Sequence, residues 1–227
     1  MVGWNDWVRG AEIEPSIYAA DFSRLGEQLE TLLDAGARIF QFDMGDGHFV
    51  EPVTIGPVVL KSISGLVHAR EGVLDCHLMV ESPEKHFQAI ADAGGDSVTV
   101  HYEACNDLAG VLAQARGLGL AAGVAFNPET EPDDVAAAAG EIADLVLCMS
   151  IHPGYSGQAF MPEAIPRIRR LRELLPDAVH VQVDGGVGRE NVRALREAGA
   201  NLFVAGTSVF GQEHPGEAYR QLVQALA

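Results

Sequence analysis

A chain of 227 residues, 48% apolar and 21% charged, is long enough for one large α/β barrel domain and is neither disordered nor fibrous in composition. Fifteen Lys and Arg against thirty-two Asp and Glu give a formal charge of −17, which repels nucleic acid and anionic membrane surfaces. An anionic ligand must then be captured by local donors such as backbone N–H groups, not by long-range attraction.

The first ten residues hold Trp4 and Trp7, three apart in a short amphipathic run that fits a cover over the bottom of a barrel or an oligomer contact. Asn5, Asp6 and Arg9 interrupt this run, so it does not read as a signal-peptide core. Apolar runs then predict eight strands: Ile13–Ile17, Arg38–Asp43, Val73–Met79, Ser97–His101, Ala121–Phe126, Asp144–Ser150, Val179–Asp184 and Asn201–Gly206. Helical spacing fills the gaps, as in Leu25, Leu29, Leu32 and Leu33, or Ile165, Ile168, Leu171 and Leu175. Asp34-Ala-Gly-Ala37, Asp92-Ala-Gly-Gly95 and Glu197-Ala-Gly-Ala200 each close a helical run, which makes Gly36, Gly94 and Gly199 left-handed helix ends. Repeated β-then-α order without a linker predicts a single (β/α)8 TIM barrel over residues 1–227, with residues 1–12 as an N-terminal extension over the barrel bottom. Gly117-Leu-Gly119 follows a helix and precedes a strand, the reverse of a dinucleotide-binding loop. Three widely spaced cysteines, Cys76, Cys105 and Cys148, imply no disulfide framework, and no apolar run approaches eighteen residues, so a soluble cytoplasmic protein is expected.

In such a barrel the active site forms at the C-terminal ends of the strands. Polar residues stand there inside apolar runs: Gln41 and Asp43 on the second strand, Asp75 and His77 on the third, Gln182 and Asp184 on the seventh. Period-two alternation puts each pair on one face, and an inward carboxylate or imidazole needs a partner, a metal or a catalytic task. Asp43, His77 and Asp184 make an oxygen and nitrogen set for a divalent ion, and two carboxylates on different strands suit two-base proton transfer. Pro153-Gly-Tyr-Ser-Gly157, Asp184-Gly-Gly186 and Gly206-Thr-Ser208 follow strands six, seven and eight, where loops of this fold hold phosphate through backbone N–H groups. A phosphorylated small molecule is implied. His48, His86 and His101 read as hydrogen-bonded core histidines, and Glu129, Glu131, Asp133 and Asp134 as a solvated helix start.

With Glu14-Pro-Ser-Ile17, Asp46-Gly-His-Phe-Val50, Thr54-Ile-Gly-Pro57, His77-Leu-Met-Val80, Val98-Thr-Val-His101, Asn127-Pro128, Pro153-Gly-Tyr155, Val183-Asp-Gly-Gly186 and Val204-Ala-Gly206, the chain resembles the ribulose-phosphate 3-epimerase family over nearly its whole length. That resemblance implies a metal-dependent barrel, commonly a homo-oligomer, that inverts C3 of D-ribulose 5-phosphate to give D-xylulose 5-phosphate through a cis-enediolate. It implies that Asp43 and Asp184 exchange the C3 proton on opposite faces and also bind the metal (Zn, Mn or Fe), with His77 as a further ligand. It implies that Ser16 and His77 touch substrate oxygens, that Met79 and Met149 line the site, and that Gly154, Tyr155, Ser156, Gly157, Gly185, Gly186, Gly206 and Thr207 hold the phosphate end.

Four departures lie near the expected mouth. Gln41 replaces the family's histidine ligand, Gly45 replaces a methionine, an asparagine is absent from Val50-Glu-Pro-Val53, and His152 stands before Pro153-Gly154. An amide oxygen is a harder and weaker ligand than imidazole, so lower zinc affinity and a shift towards Mn²⁺ or Mg²⁺ are expected. Alternatively the Gln41 amide donates to the enediolate and little metal is bound. His152 fits a ligand, an acid or an exposed loop residue. The stretches Leu74-Asp-Cys-His-Leu-Met79, Asn127-Pro-Glu-Thr130 and Gly206-Thr-Ser208 are also similar to allulose-6-phosphate 3-epimerases, and a missing Met side chain at Gly45 would enlarge the cavity for a hexulose phosphate. A sugar-phosphate-binding barrel without turnover is the remaining alternative.

Overall fold

Strands covered on both faces are built from apolar runs, and each of the eight runs in this sequence forms one. In the computed structural model, which describes residues 3–227, the strands are β1 (Glu12–Pro15), β2 (Ile39–Gly45), β3 (Val73–Met79), β4 (Ser97–His101), β5 (Ala121–Phe126), β6 (Leu145–Met149), β7 (His180–Asp184) and β8 (Leu202–Ala205). All pair in parallel, in the order β1-β8-β7-β6-β5-β4-β3-β2. A parallel bridge between Ser16 and Gln41 joins the two ends of this order, so the sheet is a nearly closed barrel. Residues 1 and 2 of the expected N-terminal extension lie outside the described residues.

The helices that alternate with the strands are amphipathic. After a short α1 (Trp4–Trp7) come α2 (Leu25–Asp34), α3 (Pro57–His68), α4 (Phe87–Ala93), α5 (Leu108–Gly117), α6 (Pro132–Ala139), α7 (Ala164–Leu174), α8 (Val192–Ala198), α9 (Thr207–Phe210) and α10 (Pro215–Leu226). In α2 the buried face is Leu25, Leu29, Leu32 and Leu33, as the helical spacing requires. Gly36, Gly94 and Gly199 have φ of +104°, +89° and +115° and end three helices. At the first of them Gly36 N–H donates to Leu33 C=O and Ala37 N–H to Leu32 C=O, the paired bonds that stop a helix at a left-handed residue. The first strand stops earlier than its apolar run, at Pro15, because Ile17–Ala19 winds into a 3₁₀ turn.

Outward residues of the strands, such as Phe40, Phe42, Cys76, Val100, Cys148 and Val183, pack with the helices in the main core. The alternate residues face the barrel interior, and many are polar: Glu14, Gln41, Asp75, His77, Ser97, Thr99, His101 and Gln182 are all fully buried. At the other end of the strands Trp4 packs on Ile39, Val73, Leu145 and Leu202. Gln182 Nε2 donates to Glu14 Oε2 at 2.7 Å and to Asp75 Oδ2 at 3.1 Å, while Glu14 Oε1 has no partner.

Burial, reinforced by the nearby Asp75, raises the pKa of Glu14 well above its ordinary value. Between the unfolded and the folded pKa unfolding then releases a proton, so this group's contribution to stability is complete below the unfolded pKa of about 4.3 and declines above it by about 1.4 kcal/mol per pH unit until the folded pKa is reached. Glu14→Gln, which keeps an acceptor for Gln182, should remove that decline. Denaturant melts across pH should show the variant gaining on the wild type as pH rises; parallel curves would show that Glu14 is not protonated in the fold.

Candidate active site

At the C-terminal ends of β1, β2, β3 and β7 the chain places Ser16, Gln41 with Asp43, His77, and Asp184. The register sets Gln41 beside Asp75 and Asp43 beside His77 across β2 and β3, so the second strand delivers two polar residues to one spot. Asp43 accepts two hydrogen bonds, from Ser16 Oγ to Oδ2 at 2.6 Å and from Gln41 Nε2 to Oδ1 at 2.7 Å, and His77 Nδ1 lies 3.0 Å from Oδ1. Gln41 Nε2 also donates to Asp184 Oδ2 at 3.0 Å, and His77 Nδ1 lies 3.8 Å from that oxygen. One amide therefore clamps both carboxylates. Its own oxygen, Gln41 Oε1, is buried without a partner.

The electrostatics of the pair are unequal. Burial and the neighbouring Asp43 push the Asp184 pKa up to about 7, against the opposing pull of His77 and Gln41. Burial alone would lower the His77 pKa, but Asp43, Asp184 and Asp75 outweigh it and the net shift is upward. His101 is pushed down to about 4 by burial and by His77. Asp184 is thus biased towards its protonated form, beside an Asp43 that accepts from Ser16 and Gln41. Two carboxylates in unlike environments can serve as an acid and a base.

Three ligand atoms, one each from Asp43, His77 and Asp184, lie within 4.8 Å of one another, and their oxygen and nitrogen chemistry fits a divalent cation. The fourth expected ligand does not present a lone pair here, since Gln41 turns its N–H2 and not its oxygen to the carboxylates.

Above this floor lies an open cavity. Its lining includes Ser16, Asp43, Met79, Met149, Gly154, Tyr155, Ser156, Gly157, Asp184, Gly185, Gly186, Gly206 and Thr207, so the structure gathers nearly every residue singled out from the sequence around one space. His77 is fully buried beneath that floor and is not part of the lining. Tyr18, Ile151, Val187 and Val204 line it as well, and sequence reasoning passed over them because apolar residues at strand ends look like core. The glycine loops are held in shapes that exclude side chains: Gly185 and Gly186 have φ of +119° and +61°, and a Cβ on Gly185 would lie 2.5 Å from Ile151 Cγ1.

Two expectations need correction. Gly45 does not open the cavity, because a Cβ there would lie 2.9 Å from Pro52 O and 2.9 Å from Val50 Cγ2. The segment after β2 folds back into that space, stitched by Thr54 Oγ1, which accepts from Gly45 N–H at 2.6 Å and donates to Asp43 C=O at 2.7 Å. Gly45→Met should therefore overpack this turn and cost about 1–3 kcal/mol, read as a lower melting temperature; a melting temperature equal to wild type would show the turn to be loosely packed. His48 is exposed and His86 half-buried, so neither is a core histidine, whereas His101 is fully buried and hydrogen-bonded on both ring nitrogens. Of the readings open for His152 the exposed loop residue holds: its side chain is 62% exposed, with Nδ1 3.2 Å from Glu129 Oε1, and it is not part of the cavity lining.

The Ribulose-phosphate 3 epimerase family model matches residues 12–210. Similar proteins include the ribulose-phosphate 3-epimerase of Synechocystis sp., 42% identical over 91% of this chain and 90% of that protein, and that of Schizosaccharomyces pombe, 39% identical over 91% and 90%. A rice protein named as the cytoplasmic isoform of the same enzyme is 37% identical over 95% of this chain and 94% of its own length. Among solved structures a 3-hexulose-6-phosphate synthase superposes with a TM-score of 0.69 at 20% identity, covering 95% of this chain and 100% of the other, a likeness of fold alone.

Proposed function

The chain belongs to the ribulose-phosphate 3-epimerase family, and from that membership we propose that it interconverts D-ribulose 5-phosphate and D-xylulose 5-phosphate by passing the C3 proton between Asp43 and Asp184. It is an isomerase of a metal-dependent family that acts on phosphorylated sugars. The observation that carries the mechanism is the pair of carboxylates, clamped by one amide, at the floor of a cavity walled by glycine loops.

In this reading the ionised Asp43 removes the proton from C3 on one face while the protonated Asp184 delivers its own to the other, and the roles reverse for the return reaction. Ser16 Oγ and Gln41 Nε2 hold Asp43 in place. Asp43, His77 and Asp184 would hold the divalent ion, which when bound supplies positive charge to the developing oxyanion. Backbone N–H groups of Gly154–Gly157, Gly185, Gly186, Gly206 and Thr207 take the phosphate, which answers the problem a net charge of −17 sets for an anionic substrate. Met79, Met149 and Ile151 close the apolar side of the cavity and limit water.

The same reading makes it a cytoplasmic homo-oligomer, in line with the rice relative named as a cytoplasmic isoform. No helix among the described residues is long and apolar enough to cross a membrane. With the space at Gly45 filled, the cavity argument for a hexulose phosphate falls away. The ratio of kcat/KM for D-ribulose 5-phosphate to that for D-allulose 6-phosphate should exceed about 10. A ratio below one would overturn the pentulose assignment.

A further inference from the structure

Beneath His77 runs a hydrogen-bonded chain that the proton transfer itself does not use. His77 Nε2 lies 2.9 Å from His101 Nε2, with the two rings stacked at 27°. His101 Nδ1 lies 3.3 Å from Glu103 Oε2. His101 is the last residue of β4, and the 3₁₀ turn Tyr102–Ala104 swings Glu103 back under its ring. The other oxygen, Glu103 Oε1, accepts from Asn127 N–H at 2.8 Å and from the Thr130 hydroxyl. The Asn127–Thr130 segment is pinned in turn by Arg167, whose Nη2 donates to the carbonyls of Asn127 at 2.6 Å and Thr130 at 3.3 Å. The Asn127-Pro128 motif, which touches nothing in the cavity, thus has a role as the anchor of Glu103.

The direction of every bond in this chain follows from its carboxylate end. Glu103 receives two donors on Oε1, so its Oε2 faces His101 as an acceptor, and His101 Nδ1 must carry the N–H. A neutral imidazole has one N–H, which leaves His101 Nε2 bare. The 2.9 Å contact then requires His77 Nε2 to donate. His77 Nδ1 is consequently the nitrogen whose lone pair faces Asp43 Oδ1 at 3.0 Å and Asp184 Oδ2 at 3.8 Å. Three lone-pair atoms pointed at one another are a poor arrangement in isolation and a good one around a cation.

We propose that Glu103 and His101 are positioning residues that fix the tautomer of His77, so that its Nδ1 is presented as a metal ligand to the place between Asp43 and Asp184. This deepens the functional reading above, since it concerns the same site. It extends that reading to residues outside the cavity, because His101 and Glu103 reach the chemistry only through His77. Ligand histidines are commonly oriented by an acceptor on the far ring nitrogen, and here that acceptor is a second histidine oriented by its own carboxylate.

The test reads protons directly. Long-range ¹H–¹⁵N correlation on metal-free protein at alkaline pH, where the rings are neutral, should place the proton of His77 on Nε2 and that of His101 on Nδ1. His101→Phe removes the acceptor and should move the His77 proton to Nδ1, with Mn²⁺ affinity, measured by electron paramagnetic resonance, falling about 10–100-fold. His101→Gln, whose amide oxygen can accept from His77, should restore both. A wild-type His77 protonated on Nδ1, or a folded His101→Phe protein with unchanged Mn²⁺ affinity, would overturn the proposal. If His101→Phe does not fold, the wild-type tautomers alone decide it. No substrate enters these measurements, so a failure of the epimerase reading and a failure of the relay are told apart.

Discussion

Asp43→Asn and Asp184→Asn are each expected to abolish epimerisation while leaving the barrel folded. On the proposed mechanism either substitution removes one of the two proton carriers, and positioned general acids and bases contribute about 10²–10⁴-fold. Each also removes a carboxylate ligand, so the loss in kcat should sit at the upper end of that range or beyond it. Asparagine preserves the shape of both side chains and can still accept from Gln41 through its oxygen, which keeps the amide clamp seen between Asp43 Oδ1 and Asp184 Oδ2. Circular dichroism and thermal melts should therefore match the wild type closely. Retained turnover in either variant would remove the two-base assignment.

Gln41→His carries the second large effect. In the wild type Gln41 offers both carboxylates a donor and keeps a buried, unpartnered oxygen. It lies at the Ser16–Gln41 bridge where the barrel closes, so its side chain has little room to withdraw. A histidine there adds an imidazole lone pair to the Asp43, His77 and Asp184 set and removes the competing N–H donor. Zinc affinity should rise at least about tenfold, the lower end of what even outer partners of a metal site contribute. The wild type, with fewer nitrogen ligands, should show a relative preference for Mn²⁺ over zinc in comparison with the variant. Equal zinc affinities in competition titrations would mean that the Gln41 oxygen already serves as a ligand when metal binds.

Much of this was legible in the sequence, and the limits have physical causes. Parallel barrel strands are buried on both sides, so each reads as an apolar run, and the helix-ending glycines mark where the next run begins. Asp43, His77 and Asp184 stand out because a charge inside such a run is costly without a task. Tyr18, Ile151, Val187 and Val204 give no such signal, since apolar wall and apolar core are written in the same residues. Gly45 misleads because the fate of a missing side chain depends on whether another segment fills the space, and here Val50 and Pro52 do. His101 could be read as buried and hydrogen-bonded, but its partners follow from the β3 to β4 register and from a turn that brings Glu103 back, neither of which is encoded locally. His48 misleads for the opposite reason: Asp46 caps the turn through the backbone N–H groups of His48 and Phe49, and the His48 ring is left in solvent.

On the proposed mechanism this barrel moves the C3 proton of a pentulose phosphate between Asp43 and Asp184. Incubation of the Mn²⁺-supplemented protein with D-ribulose 5-phosphate in deuterated water, followed by proton NMR at C3, tests it most directly. The account predicts loss of the C3 proton signal together with the appearance of D-xylulose 5-phosphate deuterated at C3. A C3 signal that persists while the sugar phosphate binds would contradict it.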